Sequence, residues 1–341
     1  MDELTLLREM QSDIAAPTAE ALAPGREALL RRIESSHSPK RVAIHRLAPL
    51  RTLLISATAA TATAVVVIGS LYGFGGPHGQ ASAQAAEVLN DAAAQTIITS
   101  DPVVAPGQYK KIETTAQFLD GVEGQDWDMC SQLDSETDQL YIPADPTDEW
   151  VWNRPARVPI TVFGGADCET AAATSDAGIP AEVLRANNGE FNGSPPLVAD
   201  PSALPRDPLQ LLHHFQDQAR GAGSSLDAET FVVIADYLRT GTVPADLRAA
   251  LYEVLALIPG VDVIDRQATL DGRTGIAIGR DASYGPMTTR SEIIIDPSTG
   301  LVIGEREVVL QAEGPVPVGT AITSTSVLTM VVDSAPDDVP R

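Results

Sequence analysis

One stretch of the chain shows no alternation of apolar and polar positions. From Leu53 to Phe74, twenty-two consecutive residues carry no Asp, Glu, Lys, Arg or His. As a helix rising ~1.5 Å per residue this run would extend roughly 33 Å, enough to cross a hydrocarbon core of ~30 Å. Its Ala and Thr residues are close to neutral for insertion, so the drive comes from Leu53, Leu54, Ile55, the Val65–Ile68 block, Leu71 and Phe74. The run is therefore expected to be a single transmembrane helix over residues 52–74.

On the N-terminal side, "ELTLLREM" and "GREALLRRI" place apolar residues at helical spacing, with Pro17 and Pro24 between them. So few apolar positions cannot enclose a core alone, and residues 1–51 are expected either to stay mobile or to fold against a partner. Beyond a linker over 75–83 the pattern becomes that of a folded domain. "SAQAAEVLNDAAAQTI" puts Ala85, Val88, Leu89, Ala92 and Thr96 on one helical face. "GQYKKIETTAQFL", "TDQLYIPAD", "DEWVWNR" and "VPITVFG" are strand-like, with turns at "PADPTD" and "NRPAR".

Three further helices are predicted. "RDPLQLLHHFQDQ" begins with Asp207 as cap and Pro208 in its first turn, with Leu209, Leu212 and Phe215 as its apolar face. "SSLDAETFVVIADYLRTG" runs from the serines to Gly241, and "PADLRAALYEVLALIPG" repeats Leu247, Ala250, Leu251, Val254, Leu255 and Ile258. A β-meander follows in "VDVIDRQATL", "TGIAIGR", "RSEIIID" and "LVIGEREVVL", closed by "STSVLTMVV". Helices segregated from antiparallel strands predict an α+β domain over 84–333. The stretch from Gly164 to Pro208 is rich in Gly, Pro and Ser, and the tail "SAPDDVPR" (334–341) is expected to be disordered.

Charge adds a direction. Arg26, Arg31, Arg32, Lys40, Arg41, Arg46 and Arg51 precede the run, and the next basic residue is Lys110. This asymmetry puts the N-terminus in the cytoplasm and the C-terminal domain outside, in the cell membrane as a single-pass protein. A rival reading is a cleaved signal peptide, since "ASAQA" (Ala81–Ala85) offers cleavage after Ala83. Signal peptides have short leaders and apolar segments of roughly 7–15 residues; an uncleaved anchor fits better. Residues 1–51 carry eight basic and seven acidic side chains, whereas residues 75–341 hold 15 basic against 39 acidic. So acidic a surface repels phosphate backbones, and nucleic acid is excluded as a partner of this part.

The two cysteines, Cys130 and Cys168, both lie outside the expected span. In an oxidising compartment such a pair reads as a disulfide; a reactive thiol or a metal site is the lesser reading, as no His–Cys spacing accompanies them. No catalytic, cofactor or metal site is assigned: the chain has no G-x-S-x-G elbow, P-loop, dinucleotide fingerprint or H-E-x-x-H. His213 and His214 are adjacent on a helix and point about 100° apart, which suits neither a shared metal nor an acid–base pair. Asp120, Glu123, Asp126 and Asp128 surround two glycines but do not follow the EF-hand order, so a calcium site is the weaker reading. Trp127, Trp150 and Trp152 read as sheet-face packing rather than a ligand platform. Within the run, Gly69 and Gly73 form G-x-x-x-G, a spacing that allows close helix packing and a homodimer through the span.

The order of these segments resembles a family of actinobacterial single-pass membrane proteins of uncharacterised function. The resemblance rests on "DELTLLREM", "LAPGREALLRRI", the span, "SAQAAEVLNDAA", "APGQYKKIET", "LPRDPLQLLHHF" and "LRAALYEVLALIPGVDVI". It extends through "DGRTGIAI" and "SEIIIDPSTGLVIGEREVVL". Members are often encoded beside extracytoplasmic-function sigma factors, which implies a regulatory or sensing role by association. The tail here departs from the zinc-type anti-sigma pattern, having no Cys and only His37 and His45. The outer domain looks like the half-barrel fold of lipoprotein carriers and of sensor domains that regulate anti-sigma factors. The resulting expectation is a membrane-anchored, non-enzymatic extracytoplasmic sensor or regulatory protein. Its cytoplasmic partner, a sigma factor or regulator, would be met through residues 1–51. The alternative is an anchored module that binds lipid or lipoprotein in the cell envelope.

Overall fold

A computed structural model describes residues 80–122, 130–174, 180–193, 201–312 and 314–337. Chain order is α1 (Ala83–Thr99), β1 (Tyr109–Gly121), β2 (Ser131–Pro143), β3 (Glu149–Arg154), β4 (Val158–Phe163), α2 (Ala166–Thr174) and β5 (Glu182–Asn187). After two 3-10 turns come α3 (Pro208–Gln218), α4 (Leu226–Arg239), α5 (Ala245–Leu257), β6 (Asp262–Leu270), β7 (Arg273–Tyr284), β8 (Met287–Ile295), β9 (Val302–Gln311) and β10 (Ala321–Val332). Among the described residues the fold is α+β, five helices with one open antiparallel sheet of ten strands, in the order β5-β3-β2-β1-β10-β9-β8-β7-β6, with β4 also paired to β2.

The helices start where side chains can satisfy their free N–H groups. Ser82 Oγ accepts from Ala85 N, Asp207 Oδ1 from Gln210 N and Ser225 Oγ from Ala228 N, each cap stabilising by ~1 kcal/mol. The face expected of α5 is buried throughout, but Arg248 and Tyr252 are buried with it. In α3 the expected face is rotated: Leu209 is 60% exposed, and Leu211 with Phe215 goes inward at i, i+4 spacing.

Antiparallel partners share a face, so the row Ala116, Thr325, Glu305, Ile293, Ile278 defines one side of the sheet. Over β6–β9 this side carries the main core, in which Leu89, Phe231, Leu251 and Leu255 meet Ile278, Ile293 and Ile295. The opposite side is also covered there: Ile294 packs with Ala268, Ala277 and Ile303 beneath Ile264 and Leu270. β6 coils over that side through two register shifts. Gly304 permits the approach, because a Cβ there would lie 2.0 Å from the Thr325 carbonyl oxygen and 2.7 Å from Leu270 Cδ2. Over β1–β3 the smaller core consists of Ile112, Leu140, Ile142, Val327 and Phe191, with Trp150 and Trp152 against it.

The structure departs from the sequence reading at β10 and at the tail, and adds elements to a stretch to which that reading assigns none. β10 does not merely close the meander; it pairs β9 on one side and β1 on the other, joining the two halves of the sheet. The Gly/Pro/Ser-rich stretch contains α2 and β5, because a ladder to β3 (Trp150 opposite Ala186) and a bond to Cys168 supply what its composition lacks. The start of the C-terminal tail is held, since the carbonyls of Pro336 and Asp337 accept from Arg185 Nη2 at 2.6 and 3.3 Å. Cys130 and Cys168 are joined, with S–S 2.02 Å. Among the described residues no helix is long and apolar enough to cross a membrane. The span Leu53–Phe74, its Gly69 and Gly73, and the tail 1–51 lie outside those residues, as do Glu123, Asp126, Trp127 and Asp128.

Candidate functional site

The ladder between β9 and β10 stops at Gly304 opposite Ser326, while β10 continues against β1 as far as Val332 opposite Tyr109. Beyond Gly304 the sheet therefore splits. Arg273, which follows the Asp271–Gly272 turn of the β6–β7 hairpin, sets its guanidinium across the split. Its Nη1 donates to the Val327 carbonyl at 2.8 Å and its Nη2 to the Ile303 carbonyl at 3.0 Å. Ser326 Oγ donates to Asp271 Oδ2 at 2.9 Å and fixes the hairpin tip over β10. Two backbone acceptors that lost their ladder partners are thus satisfied by one side chain.

The split opens into a cavity of about 440 Å³, within the ~300–1,000 Å³ of small-molecule sites. Leu238, Leu301, Val302, Ile303, Val327 and Leu328 form its apolar lining. Lys110, Asp101, Arg248 and Asp296 join Arg273 as its charged members.

Arg248 is 6% exposed and fully engaged. Its Nε donates to Thr96 Oγ1, its Nη1 to the Val243 carbonyl at 2.6 Å and its Nη2 to Asp101 Oδ1 at 2.9 Å. Asp101 Oδ2 accepts from Ala245 N at 2.8 Å, so that carboxylate is engaged as well. Together these bonds tie the end of α1, the α1–β1 connection and the start of α5 into one wall. Asp296 accepts from the backbone N–H and hydroxyl of Ser298. Burial pushes its pKa up, but the bonds from Ser298 and Thr299 prevail and hold it below the usual range. The turn it organises is anchored by Tyr252, whose hydroxyl donates to the Gly300 carbonyl at 2.8 Å and is pushed upward in pKa by burial.

Lys110 differs from these groups. On the helix-covered side of β1, opposite Ile142 and Val331, its ammonium has no hydrogen-bond or ion-pair partner among the described residues. Burial lowers its pKa against the opposing pull of Asp101, and Arg248 lowers it further.

No protein-family model matches the chain, and no curated protein matches it. Among solved structures, it is similar to the complex of Pseudomonas aeruginosa MucA and MucB at 10% identity and TM-score 0.25 over 74% of this chain and 58% of that one. The complex of MucB with the periplasmic part of MucA gives 10% identity and TM-score 0.26, over 74% and 57%. A DUF1329 family protein from Desulfovibrio piger gives 8% and TM-score 0.18, over 73% and 92%. The chain thus spans less than two thirds of the MucB-complex chains, and TM-scores of this size establish no relationship.

The candidates from the sequence lie away from the split. His213 is exposed, and His214 stacks edge-on against Phe215 and meets Gln218. Asp120 is paired with Arg157 at 3.0 Å. Trp152 packs against Phe191 and gives its indole N–H to Asp138, whereas Trp150 donates to the Pro146 carbonyl. Both therefore serve as sheet-face packing. Two carboxyls are perturbed elsewhere on the sheet. Burial, reinforced by Glu136 and opposed by Arg154, pushes Asp138 up to about 6. Burial pushes Glu305 up to about 8 although Arg239 lies 2.6 Å from it.

Sequence reasoning missed Lys110, Arg248 and Arg273. Only Arg248 left a signal: it continues the stripe Arg248, Tyr252, Leu255 along the buried side of α5. Lys110 at the start of β1 and Arg273 at the start of β7 are far apart in the chain, and nothing local brings them together.

Proposed function

We propose that the chain is a membrane-anchored, non-enzymatic sensor or regulatory protein. Its extracytoplasmic α+β domain takes a ligand in the sheet split and reports through the span Leu53–Phe74 to a cytoplasmic sigma factor or regulator on residues 1–51. The observation that carries this reading is the split itself. A ladder that ends mid-strand, with its orphaned carbonyls taken up by Arg273, is a built cavity rather than a packing fault. The Cys130–Cys168 bond supports the outer placement, since disulfides persist in oxidising compartments. The basic flank before Leu53 supports the orientation. The open sheet with helices on one side fits the expected half-barrel.

An uncleaved anchor is supported by what surrounds Ala83. Ser82 caps α1, its Oγ donates to Asp262 Oδ1 at 2.6 Å and its N–H to the Val261 carbonyl at 2.9 Å. A cut after Ala83 would sever the cap from its helix.

The test is affinity purification from the host after mild crosslinking, comparing the full chain with one that lacks residues 2–38 but keeps the basic flank. A sigma factor or other cytoplasmic regulator recovered only with the full chain is the expected result. Recovery of the same envelope partners by both forms would overturn the regulatory reading and leave an anchored lipid- or lipoprotein-binding module. The apolar lining of the cavity favours that second reading in such a case.

A further inference from the structure

The proposed sensor function leaves its ligand unnamed, and the chemistry of the split narrows it. We infer that the cavity takes the chain of an anionic single-chain amphiphile, with Lys110 facing its carboxylate or phosphate head. This deepens the ligand-binding reading above and rests on it.

Three observations converge. The first is the lining, six aliphatic side chains drawn from α4, the β8–β9 turn, β9 and β10. Two carbonyls of the parted strands, Val327 and Ile303, are taken up by Arg273. The aliphatic side chains form a strip that suits a hydrocarbon chain, bordered by the polar Ser100, Thr274, Thr299 and Thr329 that suit a polar head.

The second is the rim. Leu301 and Leu328 line the cavity yet are 36% and 41% exposed. Beside them the last turn of α1, joined to the β8–β9 turn by the Thr99 hydroxyl on the Thr299 carbonyl at 2.8 Å, exposes Ile97 and Ile98. Exposed apolar side chains at the mouth of a cavity suit a site of entry or contact.

The third is charge. The chain carries a formal net charge of −23, yet the cavity gathers three cations and two carboxylates. Asp101 is neutralised by Arg248, and Arg273 is committed to carbonyls. Lys110 alone among the three cations has no bonded partner among the described residues. Lys110 is half-buried, and withdrawing an ammonium from water without a partner is unfavourable, in keeping with the lowering of its pKa by burial. An anionic head would offset that penalty most fully, a neutral acceptor would offset less of it, and a cationic head none.

The test uses the full chain in membranes of its host and three probes. These are hexadecanoic acid carrying a diazirine at its far end, hexadecyl phosphate carrying the same group, and the corresponding neutral alcohol. After irradiation the labelled peptides are mapped by mass spectrometry. The two anionic probes are expected to label peptides from the end of α4, the start of β9 and the end of β10 at least tenfold more than the alcohol. Lys110→Gln is expected to lower anionic labelling about tenfold, the loss of one charge-assisted hydrogen bond, and to leave the alcohol unchanged. Lys110→Arg keeps the label. Leu301→Trp, at an exposed rim position, removes it for all probes, and all three variants retain the parent unfolding temperature.

Labelling of these peptides by the alcohol equal to that by the better anionic probe, or labelling indifferent to Lys110→Gln, would overturn the assignment. So would displacement of the label by excess acetate or inorganic phosphate, which would mark a simple anion site. If the acid labels but the phosphate does not, or the reverse, the head group is settled and the inference stands. Labelling confined to other surfaces sinks this site while leaving the sensor reading to the tail-truncation experiment.

Discussion

Arg248→Met keeps the aliphatic stem in place and removes only the guanidinium, which makes it the sharpest perturbation of the cavity wall. Three acceptors lose their donor: the hydroxyl of Thr96, itself 0% exposed, the Val243 carbonyl, and Asp101 Oδ1. Truncating one partner of a buried ion pair costs ~3–5 kcal/mol. The Asp101 side chain is 35% exposed, so water recovers part of its solvation and the lower end applies, about 3 kcal/mol. For a domain of this size each kcal/mol moves the melting temperature by ~2–4 °C, so the fall should be about 9 °C. The assay is urea unfolding of the full chain in detergent micelles followed by tryptophan fluorescence, with Asp101→Asn and the double variant completing a cycle. The coupling between the two sites should exceed ~1 kcal/mol, because the pair shares one network. A loss below ~1 kcal/mol for Arg248→Met, or additive single variants, would refute the view that this arginine holds the wall together. The same variant should raise the pKa of Lys110, since Arg248 contributes to its depression.

Three other outcomes are expected. Gly304→Ala must displace the Thr325 carbonyl or Leu270, an overpacking that costs ~1–3 kcal/mol; a parent-like urea midpoint would show that β9 and β10 move apart freely. Burial raises the Glu305 carboxyl to about 8, above its unfolded value, with Arg239 opposing and Asp236 and Glu307 adding to the shift. The folded state then holds the extra proton, so the stability this group contributes is present below its unfolded pKa and is lost as pH rises towards 8. Glu305→Gln should flatten that decline in the urea midpoint, and an unchanged slope would sink the assignment. Replacing Cys130 and Cys168 together by Ser opens a loop with separation 38, for which chain entropy predicts a loss of about 4 kcal/mol; an unaltered midpoint of the oxidised and variant chains would contradict it.

The local parts of this fold are legible in the sequence. The caps at Ser82, Asp207 and Ser225 form as their residue types suggest, because an N-cap bond spans only three residues. The "DGR" turn puts Asp271 and Gly272 at positive φ between β6 and β7, as a two-residue hairpin requires. With only two cysteines the pairing has a single solution. The face of α3 is ambiguous in the sequence because its period admits both Leu209 and Leu211 as inward positions, and only contact with α4 and α5 selects Leu211.

By itself, the sequence determined the uncharged run, the asymmetry of charge about it, the α+β composition of elements and the disulfide partners. These follow from periodicity, capping and composition, which act over a few residues. Tertiary structure decided that β10 lies between β1 and β9, that β5 finds a partner in β3, and that the β9–β10 ladder ends at Gly304. It also decided that Lys110, Arg248 and Arg273 meet at one cavity. Strand order and the convergence of side chains from distant positions depend on which long-range pairings bury the most apolar surface while leaving no backbone group unsatisfied. No window of sequence contains that competition.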